Sequence, residues 1–288
     1  MIFRTAAALA ALTLAVPALA QDASPGPIAG PMDPASLSRD RITVIGGVAS
    51  VPSYEGSDNN NLIPAFALQG TIKGLGVQTR GLKLYVDLIP NDPGPVVDFQ
   101  AGPVVGLVLD RIRVKTIDDA LVERLGDRKV GIDVGGFVGI GKTGVITSDY
   151  DKLTATITYV HDVNNASDSY VISPIIDYGT PLSTKAYVGL SLQANYAGGK
   201  YADYYFSVTP AATLASTLPT YNAGKGWKDA SVTGFLNYSL TGDLLHGLGL
   251  IVGGSYSRLM NDFKDSPIVR LRGDRNQYYG TVGLSYTF

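Results

Sequence analysis

The sequence is poor in the residues on which several classes of protein depend. It has no cysteine, which excludes a disulfide scaffold, a thiolate zinc site and a lipidated N-terminal cysteine. Only two histidines are present, and charged residues make up 17% of the chain, below the ~25% of ordinary globular domains. The net charge is −2 and no basic block occurs, which argues against a nucleic-acid partner.

Long apolar runs are lacking beyond the N-terminus. Residues 1–20 combine a basic Arg4, an apolar stretch and the small residues Ala18 and Ala20, which predicts a cleavable export signal. No later stretch gives ~18 consecutive apolar residues, so no spanning helix is expected. Residues 21–40 contain four prolines and no apolar period, and they are predicted to form a periplasmic linker.

The rest of the chain, 41–288, alternates between apolar and polar residues with a period of two. In 229–241, for example, Val232 and Leu236 alternate with Ser231 and Thr233, and Phe235 is the one large apolar residue on the polar side. Eleven such runs can be recognised, at 42–51, 62–73, 77–89, 96–109, 130–142, 152–163, 169–180, 184–196, 229–241, 246–259 and 277–288.

The length and composition of these runs favour a membrane barrel over a soluble sandwich. Most have ~10–14 residues, longer than the ~5–6 of globular strands, and tyrosines and phenylalanines cluster near their ends. In lipid every backbone hydrogen-bonding group must be paired within the protein, so a sheet of such strands must close into a barrel. We therefore predict an all-β fold, a transmembrane antiparallel up-and-down β-barrel of about 12 strands (10–12).

An even strand number is expected of single-chain bacterial barrels, so a twelfth strand is assigned to 202–209. Twelve strands place both termini in the periplasm. The outer loops are then 52–61, 90–95, 210–228 and 260–275.

One segment, 116–128, breaks the alternation. Its apolar residues Ile117, Leu121 and Leu125 recur every four positions, and Gly126 can end a helix. The strand order predicts a short amphipathic helix on the periplasmic side. It would either pack into the barrel mouth as a lid or dock a periplasmic protein.

Motifs that could carry chemistry are weak. Gly136–Thr143 formally matches a phosphate loop, but it continues a strand and no helix start follows, so nucleotide binding is rejected. His161 and His246 lie near carboxylates at predicted strand ends, and no G-x-S-x-G elbow is present. The acidic loop residues lack the spacing of a calcium-binding loop; they are Asp58, Asp262, Asp265 and Asp274. We therefore predict no catalytic residue, cofactor or metal.

Charges of both signs fall on the polar, lumen-facing side of the predicted strands. Mixed signs indicate paired charges in a narrow interior rather than a steering field of one sign. These residues are Lys83, Asp87, Asp98, Asp133, Lys152, Asp177 and Lys185.

Several loop motifs occur in a characteristic order. They are Val51-Pro-Ser-Tyr-Glu-Gly-Ser-Asp58, Tyr201-Ala-Asp-Tyr-Tyr-Phe206 followed by Leu218-Pro-Thr-Tyr221, and Arg258 to Val269 with Asp-Ser-Pro-Ile-Val. From about Ile42 to Phe288 the chain resembles the MipA/OmpV family of outer-membrane proteins (MltA-interacting protein). Ser207 and Thr217 stand where that family commonly has glycine. The residues that carry the resemblance are Pro52, Tyr54, Gly56, Ser57, Tyr205, Phe206, Pro219, Tyr221, Arg258, Asp262, Asp265, Ser266 and Pro267.

The resemblance implies a non-enzymatic protein of the outer membrane. It suggests a scaffold that brings a murein transglycosylase together with a murein synthase, with 117–125 as the docking helix. Gly283, Tyr286 and Phe288 resemble the C-terminal signal read by the barrel-insertion machinery. The alternatives are a narrow channel for small solutes and a surface adhesin. An outer-membrane hydrolase is the weakest, since it would depend on one of the two histidines.

Overall fold

A closed antiparallel barrel is formed by twelve strands of the computed structural model, which describes residues 40–90, 97–112 and 117–288. Each strand pairs with its neighbours in the chain, and the first pairs with the last. The predicted fold is confirmed. The predicted signal peptide, and the linker apart from Asp40, lie outside the described residues. The strands are β1 (Arg41–Pro52), β2 (Asn60–Ile72), β3 (Leu75–Arg80), β4 (Lys83–Asp87), β5 (Val97–Val108), β6 (Gly131–Thr143), β7 (Lys152–Asp162), β8 (Tyr170–Pro181), β9 (Ala186–Ala197), β10 (Gly226–Ser239), β11 (Gly247–Leu259) and β12 (Asn276–Thr287).

Short helices occupy the longer connections of the described part of the chain. None of them is long and apolar enough to cross a membrane. They are α1 (Ala120–Glu123), α2 (Gly199–Phe206), α3 (Pro210–Ser216), α4 (Asn261–Asp265) and α5 (Pro267–Arg270).

The outer face of the barrel is apolar because alternate residues of each strand point away from the lumen. On β11, Leu250 and Val252 are 37% and 47% exposed on this face, whereas Ile251 between them lines an internal cavity. On β12, Val282 and Leu284 are exposed in the same way. An apolar outer band of this kind suits contact with lipid acyl chains.

Glycines on the inner face make room for aromatic rings. A β-carbon at Gly189 would lie 2.3 Å from the Phe235 ring, and one at Gly179 would lie 1.9 Å from the Tyr187 hydroxyl. The two rings also contact each other, with centroids 6.0 Å apart. This explains the apolar Phe235 on the polar side of its strand, because the ring fills a space that the opposing glycine leaves.

The predicted twelfth strand at 202–209 is wrong. Residues 199–206 form helix α2, whose buried side chains Tyr201, Ala202, Tyr205 and Phe206 follow a helical spacing rather than a period of two. The missing strand lies instead in the run 77–89, which folds into the β3–β4 hairpin. Arg80 pairs with Lys83 across its turn, so the inward positions change from even to odd numbers there.

The extra hairpin also reverses the direction of β5 to β9 relative to the prediction. β4 therefore ends, and β5 begins, at the end of the barrel where β1 begins and β12 ends, which contradicts an outer loop between them; the predicted loop 90–95 lies, apart from Pro90, outside the described residues. The segment 117–130 lies at the opposite end and not, as predicted, at the end where β1 begins and β12 ends. The loops 53–59, 210–225 and 260–275 share that opposite end, as expected. We call the end of the barrel that carries these loops the cap end, and the end where β1 begins and β12 ends the open end.

Candidate functional site at the capped mouth of the barrel

The cap end is filled by the connections 53–59, 117–130, 198–225 and 260–275, which together we call the cap. Phe206 and Phe263 are both fully buried there and meet edge to face, with ring centroids 5.0 Å apart. They belong to an apolar cluster that reaches down to the barrel wall at Tyr85 and Phe137. A second cluster joins Tyr54 and neighbouring cap residues. Its other buried members are Ile117, Val122, Val208, Leu218 and Ile268.

A buried lysine links the cap to the wall. The Lys228 ammonium at the start of β10 donates to Glu55 of the 53–59 loop and lies 2.8 Å from an Asp229 carboxylate oxygen. The Tyr201 hydroxyl donates to the second Glu55 oxygen at 3.2 Å. Burial raises the pKa of Glu55, and the Lys228 ammonium opposes that rise. The two carboxylates share one ammonium, and their contacts tie the 53–59 loop to β10; we call Glu55, Lys228 and Asp229 the latch.

A register shift in β10 places both latch charges of that strand inside the barrel. Lys228 and Asp229 are adjacent, yet both are buried, because the pairing with β9 shifts between Trp227 and Asp229. Asn195 of β9 donates to Asp229 at 2.7 Å. Sequence reasoning missed this latch. Two adjacent charges, Lys228 and Asp229, at the start of an alternating run were the available signal, since they require a bulge if both are to face inward.

A second polar cluster joins the connection after β5 to the cap. Asp110 accepts from the Glu55 backbone amide at 2.7 Å and from Arg111 Nε at 3.0 Å. Arg111 also donates to the Tyr205 carbonyl. Its φ of 50° places it in the left-handed region, which costs energy for a residue with a side chain. The contacts to Asp110 and Tyr205 offset this strain.

The predicted helix 116–128 is shorter than expected, since within the described residues 117–128 only Ala120–Glu123 is helical. Asp119 is its N-cap and accepts from the Leu121 and Val122 amides at 2.9 and 3.0 Å. Asp119 also pairs with Arg272 of the 260–275 loop at 2.6 Å. Partial burial alone would raise the pKa of Asp119, but hydrogen bonds from Arg272 and the amides outweigh it and lower this pKa.

The apolar side of this segment faces the other connections of the cap. Ile117 is buried, and Leu121 and Leu125 pack against the same cluster. Of the two roles weighed for the segment, this packing agrees with a lid. It does not leave these three side chains free for a periplasmic partner.

Most of the residues that carry the family resemblance meet in the cap. The Tyr54 hydroxyl donates to the Arg272 carbonyl at 2.6 Å, and Ser266 Oγ donates to the Phe206 carbonyl at 2.6 Å. The Tyr221 hydroxyl donates to the Asp262 carbonyl at 2.8 Å. Gly56 (φ 100°), Ser57, Tyr205 and Pro267 are also cap residues. Pro219 and Asp265 lie on the exposed surface of the cap, whereas Pro52 ends β1 and Arg258 is exposed on β11.

The remaining motifs have structural positions. Gly136–Thr143 lies within β6, as a strand and not a nucleotide loop. His161 Nδ1 lies 2.8 Å from the Asp162 carbonyl, and His246 lies 3.4 Å from Asp243 on an exposed turn. Within residues 40–90, 97–112 and 117–288, no group of three potential metal ligands comes together.

The predicted lumen charges are largely paired. Lys83 pairs with Asp133 at 3.3 Å, Lys152 with Asp98 at 2.8 Å, and Asp177 with Arg80. Asp87 instead accepts from the Ile89 and Ala101 amides at 3.1 and 3.0 Å. Lys185 differs, because it lies exposed in the turn before β9. The lumen thus carries no field of a single sign.

The insertion-signal residues lie on β12 and just beyond it. Tyr286 and Phe288 are exposed on the outer face, with ring centroids 4.7 Å apart. Gly283 packs against Gly46 and Gly47 of β1, where an added β-carbon would lie 2.7 Å from the Gly46 carbonyl oxygen. Their role in insertion stays a prediction.

Comparison with solved structures finds similar outer-membrane barrels at low identity. One is an outer-membrane channel from Pseudomonas putida F1, with 12% identity, coverage of 90% of this chain and 99% of that chain, and a TM-score of 0.43. Another is OprD from Pseudomonas aeruginosa, with 11% identity, 86% and 65% coverage, and a TM-score of 0.36. A third is the toluene transporter TodX from Pseudomonas putida, with 10% identity, 88% and 91% coverage, and a TM-score of 0.34.

Comparison with curated proteins finds no match. The family model described as MltA-interacting protein MipA, in contrast, matches residues 44–288. The matched region runs from β1 through β12 and includes the whole described cap. The chain therefore belongs to the MltA-interacting protein (MipA) family and is an outer-membrane β-barrel protein.

Proposed function

We propose that this protein is a scaffold that holds a murein transglycosylase and a murein synthase at the outer membrane, with the open end as its docking face. The family's description as MltA-interacting protein supports a protein partner. The scaffold needs no catalytic group of its own, and the ion pairs of the cap are arranged as structural contacts.

The lengths of the connections support an open end that faces the periplasm. Barrels of the outer membrane have short periplasmic turns and longer extracellular loops. The described turns at the open end are 73–74, 144–151, 182–185 and 240–246, whereas the cap end carries 198–225 and 260–275.

Exposed apolar side chains on the open-end turns are the observation that carries the proposal. Ile146 is 67% exposed and Leu182 is 64% exposed, and both lie on turns beyond the ends of their strands. The two turns are close to each other, since Thr147 Oγ1, beside Ile146, lies 3.2 Å from Thr180 Oγ1 at the end of β8. Exposed apolar residues on adjoining surface are typical of a protein contact. The apolar side of 117–125, by contrast, packs against the cap.

The cap bears on the two alternatives. A channel for small solutes would require the cap to move, because its side chains pack from the mouth down to Tyr85 and Phe137. An adhesin would use the outward surface of the cap, where Leu214 is 88% exposed. Leu214 serves as the control in the docking experiment, because it is an exposed apolar residue at the cap end.

Site-specific photo-crosslinking in cells tests the proposal. A crosslinker at Ile146 or Leu182 is expected to capture a murein transglycosylase or a murein synthase, identified by mass spectrometry. The same group at Leu214 should capture neither enzyme. Capture of these enzymes from Leu214 alone, or of neither enzyme from the open end, would overturn the docking face.

A further inference from the structure

A cavity of about 370 Å³ opens inside the barrel toward the open end. Its floor is formed by Tyr85 and Phe137, whose rings meet edge to face with centroids 5.4 Å apart. These two side chains also belong to the apolar cluster under the cap, so they separate the cavity from the capped mouth. The volume lies within the ~300–1,000 Å³ range of small-molecule sites.

One cation on the cavity wall lacks an acidic partner within the part of the chain that the structure describes. Of the other charged groups on the wall, Lys152 pairs with Asp98 at 2.8 Å, and the Asp87 carboxylate accepts two backbone amides but forms no ion pair within the described residues. Arg41, at the start of β1, lines the cavity, and its Nη1 atom is buried without a hydrogen-bond partner. A guanidinium offers paired donors in the geometry of a carboxylate.

Uncharged donors and acceptors face the same space. Gln69 and Gln78 lie opposite each other on β2 and β3, and both line the cavity. Asn237 accepts from Ser285 through its oxygen at 3.1 Å, which leaves its amide nitrogen directed to other partners. Side-chain amides both donate and accept, as hydroxyl groups do, so they match a polyhydroxy solute.

Aromatic rings complete the wall. Tyr187 and Phe235 line the cavity, held by the glycines that face them. Apolar ring surface beside a few convergent polar groups is the usual composition of a small-molecule site. The cavity therefore combines one cation that has no ion-pair partner among the described residues, several amides and apolar ring surface.

We propose that this cavity binds a small sugar acid that enters from the open end. The carboxylate pairs with the Arg41 guanidinium, and the hydroxyl groups bind the amides of Gln69, Gln78 and Asn237. This site goes beyond the scaffold function, because it requires no protein partner. It is therefore tested on the purified protein.

The experiment is calorimetric titration of the full mature chain, folded in detergent, with three probes. Glucuronate carries both the carboxylate and the hydroxyl groups, glucose carries only hydroxyl groups, and acetate carries only the carboxylate. We expect glucuronate to bind at least about tenfold more tightly than either, as one charge-assisted hydrogen bond contributes on that scale. Equal binding of glucuronate and acetate, or no binding of glucuronate, would overturn the proposal.

Variants locate the binding. Arg41→Gln should weaken glucuronate binding about tenfold and leave glucose binding unchanged. Lys185→Gln is the matched control, because it removes a cation from an exposed turn at the same end, outside the cavity lining. An equal loss in both variants would show attraction to the surface and refute the site.

A further variant keeps the test decisive if Arg41→Gln does not fold, as judged by heat-modifiable migration on gels. Gln78→Leu removes an amide that makes no side-chain hydrogen bond within the described residues, so the barrel should fold. It should weaken the binding of glucuronate and leave acetate unaffected. Unchanged glucuronate binding in this variant would overturn the placement of the hydroxyl groups.

Discussion

Neighbouring residues of one strand meet different solvents in this barrel. Leu250 and Val252 point outward and Ile251 points to the cavity. Because a charged side chain on the lipid face is separated from water and a charged side chain on the lumen face is not, equal substitutions at adjacent positions should differ in cost.

We expect Leu250→Arg and Val252→Arg each to lower the free energy of unfolding by roughly 2–4 kcal/mol near the bilayer midplane. Ile251→Arg should cost less, because the guanidinium can reach water in the cavity. Urea unfolding of the three variants in lipid vesicles measures the difference. If Ile251→Arg proved the most damaging, the inward and outward faces of β11 would be reversed.

The side of the barrel wall that each strand residue faces could be predicted from the sequence, because it depends on the local alternation of apolar and polar residues. The predicted faces of Leu250, Ile251 and Val252 agree with the structure for this reason. The latch could not be predicted in the same way. Lys228 meets Glu55 across 173 positions of the chain, and no pattern within either segment specifies its partner.

At the scale of elements, the β6–β7 turn at the open end depends on one carboxylate. Asp151 accepts from the Val145 and Ile146 amides at 2.6 and 2.8 Å and from the Tyr178 hydroxyl at 2.9 Å. Although burial opposes the charge, these donors outweigh it and hold the pKa of Asp151 well below its ordinary value of 3.8. The charged form is thus the one that organises the turn.

A carboxyl group whose pKa is lower in the folded than in the unfolded protein stabilises the fold at pH values above its unfolded-state pKa. This stability is lost as the pH falls toward the folded-state pKa. We expect the native protein to lose stability from this group only below about pH 4. Asp151→Asn should be less stable at neutral pH and should lose less on acidification. Urea midpoints of both proteins between pH 2 and 7, taken at a series of values, would test this. Parallel pH curves would contradict it.

Strand number was harder to predict than strand facing. A two-residue turn hides inside the run 77–89 because hydrophobic residues continue through it, and only the change of the polar face from Arg80 to Lys83 marks it. In 202–209 the alternation of Tyr204, Phe206 and Val208 suggested a strand. The segment is a helix instead, and its buried residues Tyr201 and Tyr205 are four positions apart, as on one face of a helix. Because one strand was missed at 77–89 and one was wrongly assigned at 202–209, the predicted direction of every strand between these two segments was reversed.

At the scale of the molecule, the latch and the aromatic clusters close one mouth of the barrel. We expect the native protein to show no sustained conductance in planar bilayers. Lys228→Met leaves Glu55 and Asp229 buried without their cation, which should cost about 3–5 kcal/mol, loosen the cap and produce open-channel events.

Lys185→Met serves as the control for this measurement, because it removes an exposed lysine at the other end of the barrel. It should leave both the urea midpoint and the conductance unchanged. Steady conductance by the native protein would contradict a closed mouth. So would a Lys228→Met variant with native stability and no current.

The pairing of β1 with β12 joins residues from the two ends of the barrel sequence, as in the contact between Thr43 and Thr287, 244 positions apart. Contacts of such separation are slow to form, so this seam is expected to close last during assembly. The cap clips the seam from above: the Gly56 amide donates to Gln277 at 3.1 Å, and the Tyr54 hydroxyl reaches the Arg272 carbonyl. A barrel that opens at its seam must first break this clip. The clip therefore acts on the rate of unfolding, and it lengthens the time for which an inserted barrel persists in the membrane.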